Sequence, residues 1–497
     1  MKLIILHSND THGQLATLPT EDGALLGGYA RRATFIRQQR EAHSHLLLLD
    51  AGDFYQGTRY WHAFQGEADI ELMNHLRYDV AALGNHDVDG GVETLAARLQ
   101  QAQFPVLCAN MRFPAGHLLA DAWQPRIIKS IAGVKVAIFS LLIDTMLLYP
   151  PKFQAAVQVT PFIEAARSLI STLQEQADVL IHLSHLGHLG DVALLEAVEG
   201  IDLVIGGHTH TPLEAPLLVK GTPLVRSIAG GQLMGRLELE VLPGQKPHLR
   251  DYRLVPLDDD FADDPSTAAI VEKWRQKLPP ERVLGQLISP LDTRSKTKGS
   301  GESAAGNFFT DAMLAYFGDQ ADLAFVHMGT LRGDRIYPAG NFTNHDLSEY
   351  HPFDNTPMLM EITAPQLKII LERGARELPF TVGAFLSLAG LRVVIDPNRQ
   401  AQKVDPNHPR ILVPGQRVLR AEFRGKALDF SNARRAFKIA TDGYMGRGGA
   451  GYFTLKEAKN IRQASVSASD ALKWYLANFG PIDPSPDGRI EILNDNL

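Results

Sequence analysis

The sequence predicts a layered α/β domain followed by a second, mixed α+β domain, and three observations carry that reading. Five short β-rich apolar runs in the first half each end abruptly in a cluster of Asp, Asn, His and Gly. Stretches with helical spacing lie between them. The composition changes character near residue 257, where an acidic, proline-terminated run begins.

The five runs are KLIILHSNDTH, LLLLDAGD, DVAALGNHD, DVLIHLSHLGH and DLVIGGHTH. Continuous apolar runs of this length read as strands buried on both faces. Residues 67–78 and 160–177 read as helices that pack on the sheets. Each polar cluster then sits at the carboxyl end of a strand, the rim where α/β sheets place ligands. After DDDFADDP, the segment STAAIVEKWRQKL reads as a helix capped by Ser266 and closed by Pro279-Pro280. This places a first domain over 1–256, a linker and connecting helix over 257–282, and a second domain over 283–497. The second contains helices at 304–317 and 364–377, the strands RVVID and AFKIAT, and a glycine-rich turn at 446–451.

At 497 residues the chain exceeds what one core usually covers. Its 45% hydrophobic and 21% charged residues are those of a folded chain. Forty-nine Lys and Arg against 56 Asp and Glu give a formal charge of −7, which offers no general attraction for a nucleic-acid polymer or an anionic membrane. The expected partner is a small molecule, and the oligomeric state stays open. The single cysteine, Cys108, excludes a disulfide framework and a Cys-rich zinc site and reads as a small core residue. The apolar run in MKLIILHSND is too short for a signal peptide, and Val134–Ile143 is too short to span a membrane. A cytoplasmic location is the expectation, or a periplasmic or secreted one if a leader has been removed.

The polar clusters carry the chemistry. Two divalent ions about 3.5–4 Å apart need oxygen and imidazole ligands and one carboxylate that bridges them. Asp53 in DAGD is the natural bridge. Asp10 and His12 leave the first strand at i, i+2 spacing, and His208 and His210 in GGHTH repeat it. Asn85 in GNHD and His185 in LSH complete the set. A solitary D-x-H is more often a solvated loop and a lone His a structural residue. Five such segments in this order, each after a strand, point to a dinuclear site.

The blocks LDAGDFYQGT, MNHLRYDVAALGNHDVDGG and GGHTHT closely resemble those of the 5′-nucleotidase family of calcineurin-like metallophosphoesterases. The resemblance is closer over 1–235 than over 283–497. It implies a four-layer α+β sandwich and a C-terminal substrate-binding domain. It also implies two divalent ions (Zn, Mn, Co or Mg), one on Asp10, His12, Asp53 and His210 and the other on Asp53, Asn85, His185 and His208. The family often has an amide where this chain has His210. Water activated by the ions would attack phosphorus in line, with Asn85 and His86 facing the phosphate and His86 stabilising the developing charge. Asp89 resembles the partner that orients that imidazole. Related cyclic-nucleotide phosphodiesterases carry Asn there, so Asp89 favours monoesters.

In the second domain the resemblance implies a base held between Phe353 in HPFDN and Tyr444 in DGYMGRGGAG. Arg332 would clamp a phosphate or sugar group, with His327 where the family has Asn. Lys298 stands near a family arginine, Ala450 replaces the family's ribose-binding Asp, and Glu302, Asn307 and Asp311 resemble a scaffold motif. The family also carries substrate to its metals by rotation between the domains. The leading expectation is therefore a nucleoside 5′-monophosphate hydrolase. The alternatives are hydrolysis of UDP-sugars, other diphosphates, cyclic nucleotides or other small phosphate esters, or a catalytically silent nucleotide-binding protein.

Overall fold

The computed structural model describes residues 1–20, 23–242, 244–353, 355–405 and 410–493. The chain divides into two compact units, Met1–Pro279 and Pro280–Leu497.

The first unit is built on two six-stranded sheets. One runs in the order His248–Pro256, Leu233–Glu240, Lys2–Ser8, Leu46–Asp50, Val80–Ala82, Val106–Leu107. The other runs Leu217–Val219, Thr222–Val225, Leu203–Gly206, Val179–His185, Val134–Leu142, Arg126–Ile131. Strand periodicity explains the layering. Leu3 and Ile5 point into a core shared with Ile138, Ile181 and Ile205 of the opposite sheet. Ile4 and Leu6 point the other way, to Tyr29, Phe35 and Leu72 on covering helices. On the second sheet, Ala137, Phe139, Leu180 and Val204 meet Ala166, Ile170 and Leu194 of its own helices. Two sheets face to face with helices outside give the four-layer sandwich, and covering both faces is why the strands read as unbroken apolar runs.

Residues 67–78 form the helix Glu67–Leu76, which ends where Arg77 turns left-handed at φ 55°. Residues 160–177 form Phe162–Leu173 after Pro161. The helix after the acidic run spans Pro265–Gln276, and its cap corrects the sequence reading. The capping side chain belongs to Asp264, whose carboxylate accepts the Thr267 N–H at 2.9 Å, and not to Ser266. Pro265 occupies the first turn, where its missing N–H costs nothing. This helix packs within the first unit, with Trp274 Nε1 donating to Glu71 at 2.8 Å.

In the second unit a five-stranded sheet runs Leu386–Ala389, Leu323–His327, Ala436–Thr441, Met358–Thr363, Lys459–Gln463. The helices Ala304–Phe317, Ala364–Gly374 and Ala468–Asn478 share one core with it. Ser303 caps the first of these helices. A capping box of Thr363 and Gln366 starts the second. No helix among the described residues is long and apolar enough to cross a membrane. Cys108 is buried and unpaired, and burial pushes its thiol up to about 12.

Candidate metal centre

Register brings the polar clusters together. Parallel pairing sets Ser8 opposite Asp50 and Asp50 opposite Ala81, and in the other sheet Ser184 opposite Gly206. The chain therefore leaves these strands at one end of the sandwich. There it bends sharply: Asp10, His12, Asp53, His208 and His210 adopt φ of 49°, 51°, 59°, 69° and 57°. Left-handed backbone costs an L-residue roughly 1–2 kcal/mol. Such strain persists where the surroundings impose it and clusters at functional sites. Gly84 has no room for a side chain, since a Cβ there would collide with the backbone and carboxylate of Asp53.

The side chains converge in two groups. Ligating atoms of Asp10, His12, Asp53 and His210 lie within 4.8 Å of one another, as do those of Asp53, His185 and His208. Asp53 belongs to both. Asn85 joins the second group through its Oδ1, 2.7 Å from His208 Nδ1. All seven residues singled out in the sequence thus meet at one place. The His12 and His210 Nε2 atoms are 2.9 Å apart, and His210 Nε2 is 3.6 Å from Asp10 Oδ1.

The donor set fits divalent ions. His12 Nδ1 lies 2.6 Å from the Gln56 carbonyl, and His185 Nδ1 lies 2.7 Å from the Ala51 carbonyl. A carbonyl only accepts, so each Nδ1 donates and each ring turns its Nε2 inward, where an ion would displace any proton it carries. His185 Nε2 and Asp53 Oδ2 are buried and 3.2 Å apart, so without an ion they pair with each other, and an ion entering here would take the imidazole nitrogen and the carboxylate together. Burial opposes ionisation of Asp53, but His185, His86 and His12 outweigh it and hold the carboxyl well below its usual range. Burial likewise works against a charged His185, and the carboxylate of Asp53 reverses it and raises the imidazole.

His86 begins the short 3-10 turn His86–Val88. That turn brings its Nδ1 to 2.7 Å from Asp89 Oδ2, while its backbone N–H donates to Asp53 Oδ1 at 2.7 Å. Its ring centroid is 5.6 Å from that of His12. Sequence reasoning missed two supporting residues. Asp87, buried beside them, accepts the backbone N–H groups of Asp53, Phe54, Tyr55 and Gly84 and so holds the loop that carries the shared carboxylate. Asn9 donates to Asp10 Oδ2 at 2.7 Å and accepts from Ser227 N–H. Both lie next to singled-out residues, but spacing gives no indication of where they point.

In the second unit, the Arg332 guanidinium lies 5.5 Å from the centroid of the Phe353 ring. Asp354, which follows it in HPFDN, lies outside the described residues. His327 is buried, its Nδ1 donates to the Gly383 carbonyl at 3.1 Å, and its ring lies 5.3 Å from that of Tyr444. Lys298 is buried and donates to the Leu331 carbonyl, and burial lowers its ammonium to about 7. It ties down the loop before Arg332. Glu302 accepts from Asn307 at 2.8 Å, and Asp311 pairs with Arg489 at 2.6 Å, the contacts of a scaffold.

Comparison with known proteins agrees with this geometry. Residues 3–212 match the calcineurin-like phosphoesterase family, and residues 283–457 match the 5′-nucleotidase C-terminal domain. The trifunctional nucleotide phosphoesterase YfkN of Bacillus subtilis is 28% identical over 98% of this chain, which spans only 35% of that longer relative. The 5′-nucleotidase of Homo sapiens is 28% identical over 99% of this chain and 91% of its own. The crystal structure of the 5′-nucleotidase precursor from Thermus thermophilus superposes with a TM-score of 0.88 at 26% identity, covering 100% of both chains. A phosphoesterase domain that gathers ligands for two divalent ions, joined to a 5′-nucleotidase C-terminal domain, places the chain in the 5′-nucleotidase family of calcineurin-like metallophosphoesterases, hydrolases of phosphoric monoesters.

Proposed function

We propose that this chain removes the phosphate from nucleoside 5′-monophosphates. The observation that carries the reading is the pair of ligand groups sharing Asp53 beside the His86–Asp89 contact. Asp10, His12, Asp53 and His210 would hold one ion, and Asp53, Asn85, His185 and His208 the other. When bound, the ions supply Lewis acidity toward the phosphoryl oxygens and make water a better nucleophile near neutral pH.

This chain's residues supply the rest. His86 lies at the edge of the cluster, its ring held by Asp89 at one nitrogen. The opposite nitrogen is then directed to donate to a phosphoryl or leaving oxygen as charge builds there. Asp89 acts through His86 by fixing the ring's orientation. Asn85 offers its amide to the same phosphate. Phe353 and Tyr444 stack the base, with Arg332 and His327 at the sugar and phosphate side. The reading includes a cytoplasmic location, supported by the lone, unpaired Cys108; fractionation of tagged protein tests it.

The activity test is a screen of the Mn²⁺-, Zn²⁺- or Co²⁺-loaded protein against AMP, UMP, UDP-glucose, 2′,3′-cyclic AMP and p-nitrophenyl phosphate. Preferred release of phosphate from the nucleoside monophosphates supports the assignment. Faster turnover of UDP-glucose or the cyclic nucleotide would replace it, and a folded, metal-loaded sample that hydrolyses no ester would remove the enzymatic reading.

A further inference from the structure

The second unit carries a cation that the reading above does not use. Arg373 lies on the helix Ala364–Gly374, half-buried, with its guanidinium 5.7 Å from the centroid of the Tyr452 ring. It lies against the backbone of Gly451, where an added Cβ would sit 2.6 Å from Nε and 3.1 Å from Nη2. Its Nε is buried without a hydrogen-bond partner, and among the described residues no carboxylate pairs with it.

The nearby acids are engaged elsewhere. Glu377 pairs with Arg376 at 3.0 Å. Asp442 caps the Tyr444 and Met445 N–H groups at 2.9 and 3.0 Å. Burial lowers the pKa of Arg373, so a charge is kept here against its own desolvation. The neighbourhood is that of the proposed base site. Gly451 follows Ala450, whose N–H donates to the Tyr444 hydroxyl at 3.2 Å. His327, against Tyr444, has its pKa lowered by burial, with Asp442 and the Gly383 carbonyl opposing and the charges of Arg332 and Arg373 adding to the lowering.

A carboxylate would accept from a sugar hydroxyl, and position 450 offers only a methyl group. What stands beside it is a guanidinium, whose planar fork of donors matches a phosphate. We propose that Arg373, at the Ala450–Gly451 turn, binds a second phosphate on the substrate, so that nucleoside bisphosphates are preferred over monophosphates. The inference rests on the nucleotide reading and extends it by naming the group bound. Water adds across the 5′ phosphoester, giving orthophosphate and a free 5′-hydroxyl, and the second phosphate stays attached.

The test compares the full-length, Mn²⁺-loaded protein on AMP, adenosine 3′,5′-bisphosphate, adenosine 2′,5′-bisphosphate and p-nitrophenyl phosphate. One bisphosphate should exceed AMP in kcat/KM by about tenfold or more, mainly through KM, as a charge-assisted hydrogen bond requires. Arg373→Ala should bring that ratio down to about one, and Arg373→Lys should keep part of it. Arg373→Gln, which keeps the stem and loses the charge, serves if the alanine variant fails to fold. Equal kcat/KM for AMP and both bisphosphates, or a ratio unchanged in the variants, overturns the Arg373 assignment and leaves the nucleotidase reading in place. Turnover of p-nitrophenyl phosphate with no nucleotide processed overturns both.

Discussion

Replacing Asp87 by Asn tests whether the shape of the metal centre is imposed by the protein before any ion binds. The Asp87 carboxylate is 1% exposed. Its Oδ1 takes the N–H groups of Phe54 at 3.0 Å and Tyr55 at 3.3 Å. Its Oδ2 takes those of Asp53 at 3.1 Å and Gly84 at 2.8 Å. Burial and the charge of Asp53 push this carboxyl up. Every described partner of its two oxygens is nonetheless a donor, which leaves a proton there nowhere to point. An amide keeps one acceptor oxygen and turns its NH₂ toward two donors. At about 1–3 kcal/mol for each buried N–H left unmet, Asp87→Asn should cost about 2–6 kcal/mol. That is a large share of the roughly 5–15 kcal/mol by which domains are stable. Urea unfolding of the metal-free protein measures the loss, and a Mn²⁺ titration should show weakened binding because the Asp53 N–H is released. A loss below about 1 kcal/mol with undiminished Mn²⁺ affinity would refute the reasoning and mean that the carboxyl is protonated.

Other consequences follow from the same geometry. His86→Ala should retain both ions and lower kcat by about 10²–10⁴-fold, read by metal analysis beside steady-state kinetics. Metal binding should release protons, because Asp53 holds the His185 imidazole protonated until an ion displaces the proton. Calorimetric titration in buffers of different ionisation enthalpy counts them, and binding should weaken as pH falls. His7 and His182 are fully buried, and burial lowers each from 6.5 to about 3. The unfolded chain therefore binds more protons than the native one between those values, and stability should fall as pH drops from 6.5 toward 3. Each contributes up to about 1.4 kcal/mol per pH unit. His182→Leu should remove one of the two contributions from the pH dependence of urea midpoints.

The strands of the sandwich were legible because both faces of each are covered, so apolar residues run unbroken and the polar residues after them mark the rim. The convergence of the seven residues proposed as ligands could be anticipated for the same reason: each ends or follows a strand, and parallel register aligns the strand ends. Less could be read where direction depends on distant contacts. The left-handed backbone at Asp10, Asp53 and His208 is tolerated by Asp and His but not specified by them. Asp87 looks like any acid beside a ligand until four loop N–H groups are seen to converge on it. Lys298 has the composition of an exposed cation but turns inward to the Leu331 carbonyl. Arg373 belongs to an ordinary amphipathic helix, and its packing against Tyr452 and Gly451, far along the chain, could not be read from it. The helix before the second unit was found, but its cap was read two residues late, since Pro265 makes Asp264 the natural start.

The central claim is that Asp53 is shared by two ions, and metal stoichiometry tests it most directly. Elemental analysis of the reconstituted protein should find two divalent ions per chain, and Asp53→Asn should lose both together with nearly all turnover. One ion per folded chain, or an Asp53→Asn variant that keeps two ions and a normal rate, would contradict it.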